Sequence, residues 1–219
     1  MKPYQKSFIE FSLTYSALCF GNFTLKSGRM SPYFFNAGLF KDAAALTRLG
    51  EFYADAIQEH FAGQFDVLFG PAYKGISLAT SAAIGLKNKF NCNPGVSFNR
   101  KEEKNHGEGK IIIGDSLKDK RVIIIDDVIT AGITIRESIQ LIHQEGGTCQ
   151  GVVILLDRLE KGTLASASAI QEIAEQYSVN IISIVTLNNL INYLRAHDEH
   201  AAFKNHLKNI LEYQSEYGL

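Results

Sequence analysis

Val122-Ile123-Ile124-Ile125-Asp126-Asp127-Val128-Ile129-Thr130-Ala131-Gly132-Ile133-Thr134 sets four β-branched residues before two adjacent carboxylates and follows them with small and hydroxylated residues. A run that is apolar at every position, rather than at every second one, fits a strand covered on both faces, as in a parallel sheet. Ile135, Ile139 and Ile142 then recur at helical spacing until Gly146-Gly147 stops them. The stretch therefore reads strand, loop, helix. In open sheets of this kind, ligands lie beyond the carboxyl ends of the strands. A loop feeding a helix N-terminus offers unpaired N–H groups and the positive end of the helix dipole to an anion. Thr130 and Thr134 add hydroxyl donors, and Gly132 lets a phosphate approach the backbone closely. Asp126 and Asp127, just before this cradle, could accept hydrogen bonds from sugar hydroxyls or organise a hydrated Mg²⁺. One loop thus offers contacts to both halves of a sugar phosphate. A lone Asp-Asp-x-x-Thr would be an ordinary turn with a capping aspartate; the fully apolar strand before it reverses that reading.

Similar runs lie on either side: Val67-Leu68-Phe69, Val152-Val153-Ile154-Leu155-Leu156 and Ile181-Ile182-Ser183-Ile184-Val185. Between them come helical stretches. Leu49, Tyr53 and Ile57 repeat within 43–61, Gly63 stops that pattern, and a further helix is expected over 164–177. Strands alternating with helices imply βαβ units and an α/β fold with a mostly parallel sheet flanked by helices. One domain is expected over 1–219. Residues 1–40 form an N-terminal helix, within Met1 to Phe20, and a hairpin turning at Lys26-Ser27-Gly28-Arg29. Residues 41–186 form the core sheet. Residues 187–219 are C-terminal helices, with Phe203, Leu207, Ile210 and Leu211 on one face. Residues 100–116, between the strand at Val96 to Phe98 and the central one, lack periodicity and hold three glycines, which suits a lid.

Of 219 residues, 46% are apolar and 21% charged, so intrinsic disorder is not expected. Lys+Arg 22 against Asp+Glu 23 argues against a nucleic-acid coat or a polybasic membrane binder. No window suits a membrane span, and Glu10 interrupts the apolar residues near the start, so no leader is expected. Cys19, Cys92 and Cys149 are far apart and odd in number. They read as reduced thiols of a cytoplasmic protein, not a disulfide framework or a zinc site. His60, His143, His197, His200 and His206 fit no ligand spacing.

The stretch at Val122 closely resembles the phosphoribosyl-diphosphate (PRPP) signature of type I phosphoribosyltransferases. Other segments narrow the resemblance to the orotate phosphoribosyltransferase family: Lys26, Ser31-Pro32-Tyr33-Phe34-Phe35-Asn36, Gly70-Pro71-Ala72-Tyr73-Lys74-Gly75, Phe98-Asn99-Arg100-Lys101 and Lys104-x-His106-Gly107. They occur in the family's order and span nearly the whole chain. Ile133-Thr134 departs from the Thr-Ala more usual after the glycine, which touches only the detailed contacts there.

The resemblance implies the type I phosphoribosyltransferase fold with an N-terminal helix-and-hairpin hood. It implies transfer of the phosphoribosyl group from PRPP to orotate in pyrimidine synthesis, with Mg²⁺ held mainly by PRPP and water near Asp126 and Asp127 rather than by direct protein ligands. PRPP would be held by Lys26, Tyr73, Lys74, Arg100, Lys101, Lys104, His106, Asp126, Asp127 and the loop Val128, Ile129, Thr130, Ala131, Gly132, Ile133 and Thr134. Orotate would meet Lys26, Phe34, Phe35, Thr130 and Arg158. Lys101, Lys104, His106, Asp126 and Asp127 would serve catalysis, through positioning and electrostatics rather than a covalent intermediate. The Gly70 loop would carry a non-proline cis peptide at Ala72-Tyr73. The lid would reach the neighbouring subunit's site, making a homodimer with shared active sites. Two rivals are a purine phosphoribosyltransferase, disfavoured by Phe34-Phe35 and Arg158, and a PRPP-sensing regulator that binds nucleic acid. The regulator would need a DNA-binding extension or a broad basic face, and the sequence offers neither.

Overall fold

The computed structural model describes residues 1–101, 111–162, 167–197 and 201–219. In chain order the elements are α1 (Pro3–Thr14), β1 (Leu18–Thr24), β2 (Met30–Phe35), α2 (Ala43–Phe61), β3 (Val67–Gly70), α3 (Lys74–Phe90), β4 (Gly95–Asn99), β5 (Ile112–Gly114), β6 (Arg121–Ile125), α4 (Ile133–Gln144), β7 (Thr148–Asp157), α5 (Ala169–Tyr177), β8 (Asn180–Thr186), α6 (Leu187–Arg195) and α7 (Ala201–Tyr217). β1 and β2 form an antiparallel hairpin. The other strands form one sheet in the order β5-β4-β3-β6-β7-β8, parallel except for β5.

The apolar runs are buried on both faces because strand alternation sends their side chains into two cores. Leu68, Ile123, Ile125, Val153 and Leu155 meet one core, which α1, α2, α3 and α6 also supply. Val67, Phe69, Val122, Ile124, Val152 and Ile154 meet the other, with Ile135, Ile139 and Ile142 of α4 and Ile173 of α5. All of these strand residues are fully buried.

Strand order places the site. The chain leaves β3 toward β4 on one side and leaves β6 toward β7 on the other. The connections therefore diverge between β3 and β6, and a crevice opens at the carboxyl ends of these two strands.

Several sequence expectations change in detail. The first helix ends at Thr14, and Leu18 already belongs to the hairpin. Residues 100–116 are not one continuous loop. Ile112, Ile113 and Gly114 pair antiparallel with Asn99, Phe98 and Ser97, and Arg100 N–H donates to the Ile111 carbonyl at 2.8 Å. Three isoleucines in a row can serve an edge strand, which a search for longer runs overlooks. The helix expected over 164–177 starts at Ala169, because Ser168 caps it: its hydroxyl accepts from Gln171 N–H, and Gln171 accepts from the Ser168 N–H. Residues 163–166 lie outside the described residues. On α7, Ile210 is buried and Phe203, Leu207 and Leu211 pack beside it, while Tyr213 extends the same buried face.

Candidate active site

Two strand-to-helix loops face each other across the crevice. The loop after β3 is closed by glycine-on-glycine packing. A Cβ at Gly70 would stand 2.0 Å from the Gly75 carbonyl oxygen, so the turn into α3 tolerates no side chain there. The Ala72-Tyr73 peptide is cis. Ala72 N–H donates to Asn99 Oδ1 at 2.9 Å, which ties this loop to the end of β4. Tyr73 is 70% exposed. The Lys101 ammonium lies 5.0 Å from the centre of its ring, within the same chain.

The loop after β6 carries the acidic pair. Asp127 Oδ1 accepts from Val128 N–H at 2.8 Å, and Asp126 Oδ1 accepts from Asp127 N–H at 2.9 Å. The backbone on both sides continues into β7: Asp126 N–H donates to the Val153 carbonyl and Leu155 N–H to the Asp127 carbonyl. From α2 the fully buried Tyr53 donates its hydroxyl to the Asp126 carbonyl at 2.8 Å. The backbone that carries the two carboxylates is thus held by β7 and by Tyr53, and each carboxylate is held by the N–H that follows it. Lys74, at the start of α3, bridges the crevice to Asp127 Oδ2 at 2.7 Å. Thr130, Ala131, Ile133 and Thr134 are exposed, and α4 begins directly after Gly132, leaving its first N–H groups facing that open loop. Gly132 has φ +75°, and a Cβ there would also meet the Ile173 side chain at 2.4 Å. The left-handed backbone there favours glycine, a reason additional to the phosphate approach expected from sequence.

Asp126 is unlike an exposed carboxylate. Burial, and next the charge of Asp127, push its carboxyl up to about 6. No group of three or more His, Cys, Asp or Glu that could hold a metal exists among the described residues. Two carboxylates beside a lysine suit an ion carried in by an anionic substrate and touched through water, and they do not suit a protein-built cage.

The hairpin stands beside the end of β7. Arg158, just past that strand, donates from Nη2 to Ser31 Oγ at 2.8 Å and from Nε to Glu160 at 2.6 Å. Its guanidinium lies 4.1 Å from the centre of the buried Tyr33 ring. Alternation along β2 separates the two phenylalanines. Phe34 is exposed and stacks on Phe23, whereas the Phe35 ring turns inward toward Phe8 and Phe40. Of these two residues, both expected to meet orotate, Phe34 presents its ring and Phe35 has its backbone to offer. Lys26 is exposed in the hairpin turn. Lys104 and His106 lie outside the described residues, and Arg100 and Lys101 mark the near end of that segment.

Residues 39–187 match the phosphoribosyl transferase domain family. The orotate phosphoribosyltransferase of Nitrosococcus oceani is 51% identical over 219 residues, covering 100% of this chain and 97% of that one. That of Yersinia enterocolitica is 50% identical and covered throughout on both sides. The crystal structure of the Francisella tularensis orotate phosphoribosyltransferase superposes with a TM-score of 0.86 at 36% identity, over 97% of this chain and 100% of that chain.

The chain belongs to the orotate phosphoribosyltransferase family.

The fold is accordingly the type I phosphoribosyltransferase fold. Within this orotate phosphoribosyltransferase family member, the crevice gathers Tyr73, Lys74, Lys101, Asp126, Asp127 and the loop to Thr134, while Arg158 and Phe34 belong to the hairpin side. Sequence reading missed Tyr53 and Asn99 as supports of these loops. Tyr53 was hidden inside a helical repeat of core residues. Asn99 lies in Phe98-Asn99-Arg100-Lys101, but nothing in the sequence reveals its bond to the Ala72 amide.

Proposed function

We propose that this chain transfers the 5-phosphoribosyl group of PRPP to a ring nitrogen of orotate. The bond from ribose C1 to the pyrophosphate oxygen breaks and the bond from C1 to nitrogen forms; pyrophosphate leaves with the electron pair, and the proton of the ring N–H passes to the departing pyrophosphate or to water. The observation that carries the reading is the crevice itself, where Lys74 stands 2.7 Å from Asp127 at the divergence of the two loops. A cation on one loop and carboxylates on the other suit pyrophosphate and ribose hydroxyls respectively. The loop from Val128 to Thr134, ending at the N-terminus of α4, suits the 5-phosphate. In the ligand-free chain Lys74 neutralises Asp127; pyrophosphate would draw the lysine away and free the carboxylate for the sugar. Mg²⁺ bound through PRPP and water beside Asp126 would offset charge on the departing pyrophosphate. The transition state is cationic at the ribose, and the fixed carboxylates stabilise it without forming a bond to it.

Among the described residues no helix is long and apolar enough to cross a membrane. We place the enzyme in a homodimer whose lid residues reach the partner's site. The direct test follows orotate absorbance with PRPP and Mg²⁺, with uracil, adenine and hypoxanthine as controls. Orotate alone should be consumed; consumption of another base but not orotate would overturn the assignment.

Two further outcomes are expected. Replacing Arg158 by Ala should raise the KM for orotate roughly tenfold or more, on the scale of a lost hydrogen bond between charged groups, and leave that for PRPP nearly unchanged. Glu160 keeps Arg29 and Tyr213 as partners in that variant, so no carboxylate is orphaned. Equal effects on both substrates, or none, would remove Arg158 from base recognition.

The second outcome concerns pH. If catalysis needs the Asp126 carboxylate ionised, kcat/KM for PRPP should fall below about pH 6, by about tenfold per pH unit. The folded protein binds this proton more tightly than the unfolded chain does. Asp126 therefore favours the fold at low pH, and that contribution is lost as the pH rises through about 6. Asp126→Asn, which does not ionise, should lose both the acid limb and that fall in stability. A profile with the same acid limb in this variant would assign the limb to another group.

A further inference from the structure

Arg158 does not stand in the site by itself. Its Nε donates to Glu160 Oε1 at 2.6 Å, and the same oxygen accepts from the hydroxyl of Tyr213, on α7, at 2.9 Å. The other oxygen of Glu160 lies 3.5 Å from Arg29 Nη1, at the end of the hairpin turn that carries Lys26. All three charged side chains are 15% exposed, so the group is a shared, half-dry network and not a surface pair. The chain beyond Tyr213 clamps the same loop by its backbone. Lys161 N–H donates to the Tyr217 carbonyl at 2.9 Å, and Leu219 N–H to the Leu159 carbonyl at 3.0 Å. The Arg29 guanidinium also lies 4.9 Å from the centre of the Tyr217 ring.

A guanidinium is a rigid planar fork with five N–H donors. Here Glu160 holds one donor, Ser31 Oγ holds another, and the Tyr33 ring lies against the plane. Position and tilt of the fork are then set, and donors remain for a ligand. Without Glu160 and its tether the arginine would keep its charge but lose its orientation, and planar recognition of a carboxylate or carbonyl edge depends on orientation.

We propose that Glu160 and Tyr213 are positioning residues for base recognition, through which the end of α7 fixes the fork of Arg158 and thereby sets the affinity for the anionic base. This inference rests on the reading of Arg158 as a contact to orotate. Neither residue need touch substrate. Their loss should act on the KM for orotate and spare both the KM for PRPP and kcat.

The test is a double-mutant cycle on the full-length enzyme. Tyr213→Phe removes only the hydroxyl and should raise the KM for orotate roughly threefold to tenfold, part of the effect of losing a hydrogen bond to a charged group. In the Arg158→Ala background the same change should have no further effect, because its route runs through Arg158. Glu160 gives a second reading that leaves α7 untouched. Glu160→Gln keeps an acceptor for Arg158 Nε and should raise the orotate KM less than Glu160→Ala does. A wild-type KM in Tyr213→Phe, effects that add fully to those of Arg158→Ala, or losses shared by kcat and both KM values would overturn the proposal. So would tighter orotate binding in both Glu160 variants, which would mean that the carboxylate only dilutes the arginine's charge. If Arg158→Ala alone leaves the orotate KM unchanged, the reading of Arg158 is what fails, and the single variant reveals that separately.

Discussion

Turnover of an enzyme carrying both Asp126→Asn and Asp127→Asn should fall at least about 10²-fold, the scale of losing a preorganised electrostatic contact to the transition state. The structure makes this pair of substitutions unusually clean. Each aspartate spends Oδ1 on a neighbouring backbone N–H, and an asparagine carbonyl oxygen can accept those same bonds. The backbone ties to β7 and the bond from Tyr53 involve main-chain groups that the substitutions leave alone. What disappears is charge. Asp127 loses its ion pair with Lys74, whose side chain is well exposed and can return to water. Asp126 loses a buried carboxylate that already takes up its proton at a higher pH than an exposed one. The double variant should therefore fold with a melting temperature close to, or above, that of the parent at neutral pH. A folded variant that turns over orotate at the parental rate would sink the assignment of the acidic pair. An unfolded variant would point to a framework role instead.

The legibility of this site in the sequence follows from what holds it together. Residues that act through local chain geometry were visible. Val122 to Ile125 announced a doubly covered strand, because burial on both faces demands apolar residues at every position. The strand-loop-helix succession then placed Asp126, Asp127 and Thr130 at the carboxyl end of that strand, where the sheet order opens a crevice. Residues that act across the fold were not visible. Tyr53 and Asp126 are far apart in sequence, as are Arg158 and Ser31, and no spacing rule links them. The β5 strand escaped because an edge strand of three residues has too little periodicity to read. Strand alternation sends the neighbouring rings of Phe34 and Phe35 to opposite faces, so only one of them can present its ring on the open side. Nothing in the sequence marks Arg158 as buried, and only packing of the hairpin and α7 around it explains a guanidinium that is 15% exposed.

Subunit exchange between two inactive variants should restore about a quarter of wild-type activity if the lid acts across the dimer. The choice of lid lesion matters. Lys101 lies 5.0 Å from the ring centre of Tyr73 in its own chain, so it is a poor marker for a residue donated to a partner. Lys104, deeper in the polar segment of the sequence, is the better one. One parent carries Lys104→Ala, which damages the donated lid. The other carries Asp126→Asn with Asp127→Asn, which damages the receiving pocket. Each homodimer has both sites spoiled. In a mixed dimer with donated lids, one site collects both lesions and the other collects neither. Random exchange of equal amounts makes about half of the dimers mixed, each with one good site of its two, which gives the quarter. A lid that closes over its own chain's pocket leaves every site with one lesion, and mixing then restores nothing. The two outcomes differ by the whole of the signal, so neither precise rate constants nor a structure of the complex is needed to separate them. The two proteins are unfolded, refolded together and assayed for orotate consumption, with exchange verified by a tag on one parent. Verified exchange with activity still at the level of the parents would show that each chain of this enzyme closes its own site.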